Sequence, residues 1–233
     1  MDGIVKLEDV RKDYGQGDVV VHALRGVSLE IDKGEMTAIA GPSGSGKSTL
    51  LNMISGLDKP SSGSIWVDGK DISSMSRSRL SRLRLERIGF VFQAYNLLPV
   101  LTAYENAEYV LLMRGVPASE RKERVMAILR RVGLAGMENR FPRELSGGQQ
   151  QRVAIARAIV SEPALVLADE PTANVDSKTA SALLDLMAEL NEEKGSTFLF
   201  STHDRAVMKR AKRLIILKDG QILENGSLEH LDE

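Results

Sequence analysis

Two spacings of apolar residues run along the chain. Short runs at residues 37–40, 88–92, 164–168 and 197–201 are apolar nearly throughout, as parallel strands covered on both faces require. Longer stretches repeat every three or four residues and predict amphipathic helices. One spans 77–87 on Leu80, Leu83 and Leu85, and another spans 119–132 on Val125, Ile128, Leu129 and Val132, with Gly133 as its stop. A third covers about 147–160, and a fourth covers 177–194 on Ala180, Leu183, Leu184, Met187 and Leu190, with Gly195 beyond it. Residues 4–14 and 19–31, with partial alternation at Val27, Leu29 and Ile31, predict an antiparallel edge sheet joined by Gly15-Gln16-Gly17-Asp18. A short strand at 64–67 and a last hairpin, 214–217 turning at Asp219-Gly220 into 221–223, complete the strands. Thr102 and Glu105 are spaced as a capping box and open a helical insertion. Strands alternating with helices predict an open α/β sheet whose ligand sits beyond the C-terminal strand ends, where Gly41, Gln93, Asp169 and His203 fall.

Composition narrows the class without naming it. In 233 residues, 42% are hydrophobic, enough for a sizeable core. Thirty-one basic against thirty-two acidic residues leave a net charge of −1, so no global field favours nucleic acid or an anionic membrane. The arginines of 77–87 tempt a nucleic-acid reading, but nothing aromatic interleaves them, and a solvated helix face is the competing account. No apolar run approaches the roughly 20 residues of a spanning helix, and the N-terminus lacks a signal-peptide pattern, so the chain is expected in the cytoplasm. With no cysteine there is no thiol chemistry, thiolate metal site or disulfide.

The chemistry begins at Gly41-Pro-Ser-Gly-Ser-Gly-Lys-Ser-Thr49, which matches GxxxxGK[ST] between a strand and a helix. Gly41, Gly44 and Gly46 let the backbone of Ser43 and Ser45 fold around an oxygen-rich ligand. The helix opened by Lys47, Ser48 and Thr49 points its amides at an anion. Lys47 supplies charge to the β- and γ-phosphates and the Ser48 hydroxyl can hold Mg²⁺. A glycine-rich turn is the competing account, and the flanking strand and helix weigh against it. Asp169-Glu170 ends the apolar run at 164–168, which offers Asp169 to a metal and Glu170 as base for an attacking water; a solvated acidic turn is the alternative. Gln93 brings an amide oxygen to metal or water, and His203 a switchable donor to a γ-phosphate, although alone either residue would more often be structural. In Leu145-Ser-Gly-Gly-Gln-Gln-Gln-Arg152, Ser146 is spaced with Gln149 as a capping box and two glycines open the helix, which makes a second anion site.

Taken together and in order, residues 41–49, Gln93, Leu145-Ser-Gly-Gly-Gln, Leu165-Val-Leu-Ala-Asp-Glu170 and His203 resemble the motif set of ABC-transporter ATPase subunits. The resemblance implies a single phosphate-loop ABC ATPase domain of α/β class, with a mixed-sheet core, an antiparallel β edge and an inserted α-helical subdomain. Residues 1–94 and 161–233 would form the RecA-like core with its β subdomain, and about 95–160 the helical subdomain. It also implies ATP and Mg²⁺ as cofactors, with Ser48, Gln93 and Asp169 as metal residues. A second copy would be a partner, whose nucleotide Ser146, Gly148 and Gln149 would complete. By position Tyr14 resembles the aromatic on which adenine stacks, a packed strand tyrosine being the alternative. Asp176 in Thr172-Ala-Asn-Val-Asp176 resembles the loop joining the two sites, and an N-cap is an equally good local account.

Gln93 to Asn106, the triple glutamine at 149–151 and the Asn-Val-Asp loop are similar to the lipoprotein-release and macrolide-export branch, whereas Ala173 and Val175 depart from its usual glycine and leucine. That branch implies a four-span integral membrane permease as partner, docked beside residues 94–104, and holds the chain on the inner face of the membrane. An importer's ATPase, or a soluble ABC protein acting on DNA or ribosomes, are the other readings; no nucleic acid is expected.

Overall fold

The structure, a computed structural model, describes residues 3–16, 19–173 and 175–226. Two long strands open the chain, β1 (Gly3–Gln16) and β2 (Val19–Asp32), paired antiparallel with Gly3 opposite Asp32 and Tyr14 opposite Val21. Gly17 and Asp18 of the turn between them lie outside the described residues. Then come β3 (Met36–Ala40), α1 (Lys47–Ile54), β4 (Ser62–Val67) and β5 (Lys70–Asp71). The helix α2 (Arg77–Arg87) runs directly into β6 (Ile88–Val91), and three helices succeed it: α3 (Ala103–Met113), α4 (Ala118–Arg131) and α5 (Gly147–Ile159). The remainder alternates as β7 (Leu165–Asp169), α6 (Ser177–Lys194), β8 (Thr197–Thr202) and α7 (Arg205–Arg210), and ends in the hairpin β9 (Arg213–Lys218) and β10 (Gln221–Gly226).

These strands make two sheets. One is antiparallel, in the order β2-β1-β4-β5; the other has six strands in the order β10-β9-β3-β8-β7-β6 and is parallel except for β10. The antiparallel strands therefore form a layer of their own, and the six-stranded sheet takes its antiparallel edge from the last hairpin. Side chains of a strand alternate between faces, and that alternation divides the apolar runs between two cores. Leu165 and Leu167 of β7 join Leu199, Ile215 and Leu217 against α1 and the antiparallel sheet. Val166 and Ala168 join Phe198, Phe200 and Leu214 against α5, α6 and the helices of the insertion. A continuous apolar run is thus a two-sided strand, each face with its own cover.

Local signals set the helix ends. The Thr102 capping box forms as expected, with the Glu105 amide donating to Thr102 Oγ1 at 3.2 Å and the Thr102 amide to Glu105 Oε2 at 2.8 Å. Gly195 closes α6 in the left-handed conformation at φ 64°. Among the described residues, no helix is long and apolar enough to cross a membrane.

Candidate active site

β3, β8 and β7 lie side by side and parallel, so the segments that follow them leave one edge of the sheet together. After β3 the chain passes so close to β9 that a Cβ on Gly41 would stand 2.0 Å from the Leu217 carbonyl oxygen. Gly46, at φ 103°, then turns the chain into α1. Lys47 folds back into the loop it ends, donating from Nζ to the carbonyl oxygens of Gly41 (2.8 Å) and Pro42 (3.0 Å). The helix has no acidic residue in its first turn and no side-chain cap, and the Ser45 hydroxyl is buried without a hydrogen-bond partner. A buried ammonium, an orphaned hydroxyl and uncapped helix amides form a donor set suited to a phosphate chain.

Ser48 Oγ donates to Asp169 Oδ1 at 3.1 Å, and the Ser201 hydroxyl donates to the same oxygen. Ser201 holds this place because β8 pairs it directly with Asp169. Hydroxyl and carboxylate are hard oxygen donors, the kind Mg²⁺ takes beside substrate phosphates and water. Among the described residues no group of three or more His, Asp or Glu gathers to hold a metal ion.

Glu170 stands in the left-handed region at φ 45°, a conformation that costs about 1–2 kcal/mol. Its amide is fixed to the Ser201 carbonyl at 2.9 Å. Its carboxylate meets His203 Nδ1 at 2.7 Å and accepts from Thr202 Oγ1 at 3.3 Å and the His203 amide at 3.4 Å. The carboxylate faces inward at 11% exposure, and the imidazole lies at 70%. Thr202 Oγ1 also accepts from the Asp204 amide (2.9 Å), and Asp204 accepts from Thr172 Oγ1 (3.0 Å). The segments following β7 and β8 are thereby tied together around Glu170.

Gln93 lies exposed, two residues past the end of β6, which stops one residue earlier than its apolar run suggests. Next to it Tyr95 and Asn96 are both left-handed, at φ 58° and 49°, and their carbonyls accept from the Arg157 guanidinium at 2.8 and 2.6 Å. Tyr14 is not packed in a core. Its ring is 39% exposed, its hydroxyl donates to Asp58 Oδ2 at 3.0 Å, and the Lys12 ammonium lies 4.8 Å from the ring centroid.

A second cleft, of about 500 Å³, lies at the start of α5 and is lined by Ser146, Gly148, Gln149, Val175, Asp176 and Thr179 among others. Its capping box is formed, the Gln149 amide donating to Ser146 Oγ at 3.3 Å and the Ser146 amide to Gln149 Oε1 at 2.9 Å. Asp176 caps α6, accepting from the Thr179 amide (3.0 Å) and hydroxyl (2.7 Å). No residue of 41–49 lines this cleft. The structure thus gathers Lys47, Ser48, Asp169, Glu170 and His203 in one place and Ser146, Gly148, Gln149 and Asp176 in another, while Asn174 lies outside the described residues.

Three residues of this machinery escape the sequence reading. Ser201 needs the strand register to be seen. Arg157 sits among apolar helix positions, where its reach is not legible. Gln151 left a signal: it stands one turn before Ile155 on the buried side of α5, a polar residue where the apolar stripe should continue.

A phosphate loop facing a metal-type oxygen pair and a second carboxylate at parallel strand ends defines a phosphate-loop nucleoside triphosphatase. The ABC transporter family model matches residues 24–173. The chain belongs to that family and carries its ATPase domain, which binds ATP with Mg²⁺. It is 48% identical over 222 residues to an ABC transporter ATP-binding protein of Thermotoga maritima, covering 95% of this chain and 94% of that one. Against the macrolide export ATP-binding/permease protein MacB of Hyphomonas neptunium it is 46% identical over 95% of its own length, but spans only 34% of that longer protein. Among solved structures it resembles the ATP-binding cassette MJ0796 of Methanocaldococcus jannaschii, seen as a post-hydrolysis dimer bound to ADP and Pi. That match has a TM-score of 0.92 at 43% identity and covers 97% of this chain and 100% of that chain.

Proposed function

We propose that two copies of this chain close head to tail around two Mg·ATP and drive a separate integral membrane permease of the export, lipoprotein-release or force-transmitting kind. The observation that carries this reading is the split of the phosphate-binding apparatus into two clefts. One holds Lys47, Ser48, Asp169 and Glu170; the other holds Ser146 and Gly148 with no phosphate loop beside them. Each cleft is half of a site, and a second copy supplies the other half. The MJ0796 cassette was solved as a dimer bound to ADP and Pi, which supports a two-copy arrangement.

In that assembly residues 41–49 hold the phosphates, and Lys47 exchanges its loop carbonyls for β- and γ-oxygens. Ser48, Asp169 and Gln93 would hold Mg²⁺, and the ion would offset phosphate charge. Glu170 orients the attacking water and takes its proton. His203, held to Glu170 through Nδ1, keeps Nε2 for the γ-phosphate. Ser146, Gly148 and Gln149 cover the partner's nucleotide, Tyr14 offers its exposed face to adenine, and Asp176 stands where the two sites adjoin.

The domain divides into a RecA-like core and a helical subdomain of about 95–160. Between them runs a groove of about 1060 Å³ lined by Phe90, Phe92, Asn96, Tyr109 and Met113, among others. There, beside residues 94–104, the cytoplasmic element of the permease docks and holds the chain on the inner face of the membrane. Kinship with the macrolide exporter MacB, whose single chain is named for both ATP binding and permease, supports an export-type partner, and a four-span permease is the form we propose.

Glu170→Gln tests the chemistry and the pairing together. It should bind ATP, lose about 10²–10⁴-fold in turnover and accumulate as dimers in size-exclusion chromatography. Near-normal turnover would remove Glu170 as base, and an ATP-loaded monomer would remove the two-copy site. The permease that copurifies from membranes decides direction: a six-span partner with a binding protein would make the chain an importer's subunit.

A further inference from the structure

Gln151 is the most deeply buried side-chain amide near the site, at 1% exposure. Its Nε2 donates to the Pro171 carbonyl at 2.6 Å, whereas its Oε1 is buried with no partner. An unpaired buried acceptor carries a desolvation cost that an apolar side chain of the same size would avoid. Stability, with one hydrogen bond to Pro171 set against one stranded acceptor, gives little reason for glutamine at a position whose neighbours on α5, Val153, Ala154 and Ile155, are fully buried and apolar. Location gives one. Pro171 is the residue after Glu170, whose backbone is already in a strained left-handed conformation, and Gln151 sits one turn beyond the Ser146–Gly148 cleft on the same helix. The loop that leaves Pro171 returns to that cleft: a Cβ on Gly148 would lie 3.2 Å from Thr179 and 3.8 Å from Val175. The helix α5 therefore meets this stretch of chain twice, by the Gln151 hydrogen bond at Pro171 and by close approach of Gly148 to Val175 and Thr179.

We propose that Gln151 is a positioning residue that transmits the seating of Ser146 and Gly148 on the partner's nucleotide to Glu170 over the chain's own. This rests on the two-copy reading above. A shift of α5 at its N-terminus moves the Gln151 amide, and the amide carries the Pro171 peptide and the Glu170 carboxylate with it. Glu170 thus reaches its working position only when the neighbouring site is filled, and the two sites turn over together.

The full chain carrying Gln151→Leu tests this, since leucine keeps the bulk and removes both polar atoms. Its melting temperature should fall by no more than a few degrees, since the Pro171 carbonyl loses its donor while the stranded Gln151 acceptor is removed, and its ATP affinity should not change. Its kcat should fall about tenfold or more, with the Hill coefficient of ATP hydrolysis dropping towards 1. Unchanged turnover and cooperativity would overturn the proposal, and so would a fall in kcat with the Hill coefficient unchanged, which would make the residue structural. Gln151→Glu is the second probe. The carboxylate repels the Pro171 carbonyl and the protonated acid donates to it, so activity relative to the natural chain should recover as pH falls; a flat ratio would overturn the proposal. Dimerisation of the Glu170→Gln chain on ATP tests the two-copy reading separately, so failure of the one is not mistaken for failure of the other.

Discussion

Tyr14 offers its ring to solvent because its hydroxyl is held from below. Partial burial works to raise the Asp58 carboxyl, but the hydrogen bonds it accepts from Lys12, the Lys59 amide and Tyr14 outweigh that and keep it below the usual carboxylate range. Burial, and then the bond to Asp58, push the Tyr14 hydroxyl above its ordinary value. The signs give a window. A lowered carboxylate adds stability above its unfolded pKa of about 3.9 and loses it as pH falls through the folded value; a raised phenol adds it below about 10 and loses it as pH climbs through the folded value. Between those limits the ring stays anchored. Lys12→Met should let the Asp58 pKa rise towards its ordinary value in a carboxyl NMR titration, and should weaken ATP affinity by loosening Tyr14. An unmoved Asp58 titration would remove Lys12 as its main support. None of this was legible from the residue order, since Tyr14 and Asp58 stand on either side of the phosphate loop and meet only through the fold.

α5 does more than its amphipathic pattern promises. Its N-terminus is closed by the Ser146–Gln149 capping box, its middle carries Gln151 to Pro171, and its last turn carries Arg157 to the carbonyls of Tyr95 and Asn96. Burial lowers the Arg157 pKa, yet a guanidinium stays charged, and it repays two carbonyls whose residues hold unfavourable left-handed backbones. Arg157→Ala leaves both carbonyls without that partner and should cost about 3 kcal/mol, a fall of roughly 6–12 °C in thermal midpoint for a chain of this size. Arg157→Lys should recover only part, because an ammonium lacks the planar fork. Differential scanning calorimetry distinguishes these outcomes, and a midpoint within a degree or two of the natural chain would show that the loop holds itself. The helix and its capping box were legible in spacing alone. Its three tethers were not, because each ends on a backbone oxygen, and a backbone oxygen has no sequence signature.

The proposed chemistry and the proposed docking use different residues. The phosphate loop and Glu170 follow the parallel strands β3 and β7, whereas the groove is lined by residues of α2, α3 and α5 with Phe90, Phe92 and Asn96. Met113, which lines that groove, is 56% exposed, and Val100, within the proposed docking stretch 94–104, is 77% exposed. Val100→Lys with Met113→Lys should leave basal ATP turnover unchanged and abolish copurification with the permease; retention of the partner would move the docking site. Periodicity, turn residues and motif spacing determined most of the strand–helix order, though not β5 or α7, together with the phosphate loop and the caps of α3, α5 and α6, because each is a local rule satisfied within a few residues; the family came from the resemblance of the whole motif set. Tertiary structure alone decided that the antiparallel strands form a separate layer, that Ser201 supports Asp169, that His203 meets Glu170, and that Ser146 lies apart from the phosphate loop. Those pairings depend on strand register and layer packing between segments far apart in the chain, and burial, not local preference, sets them.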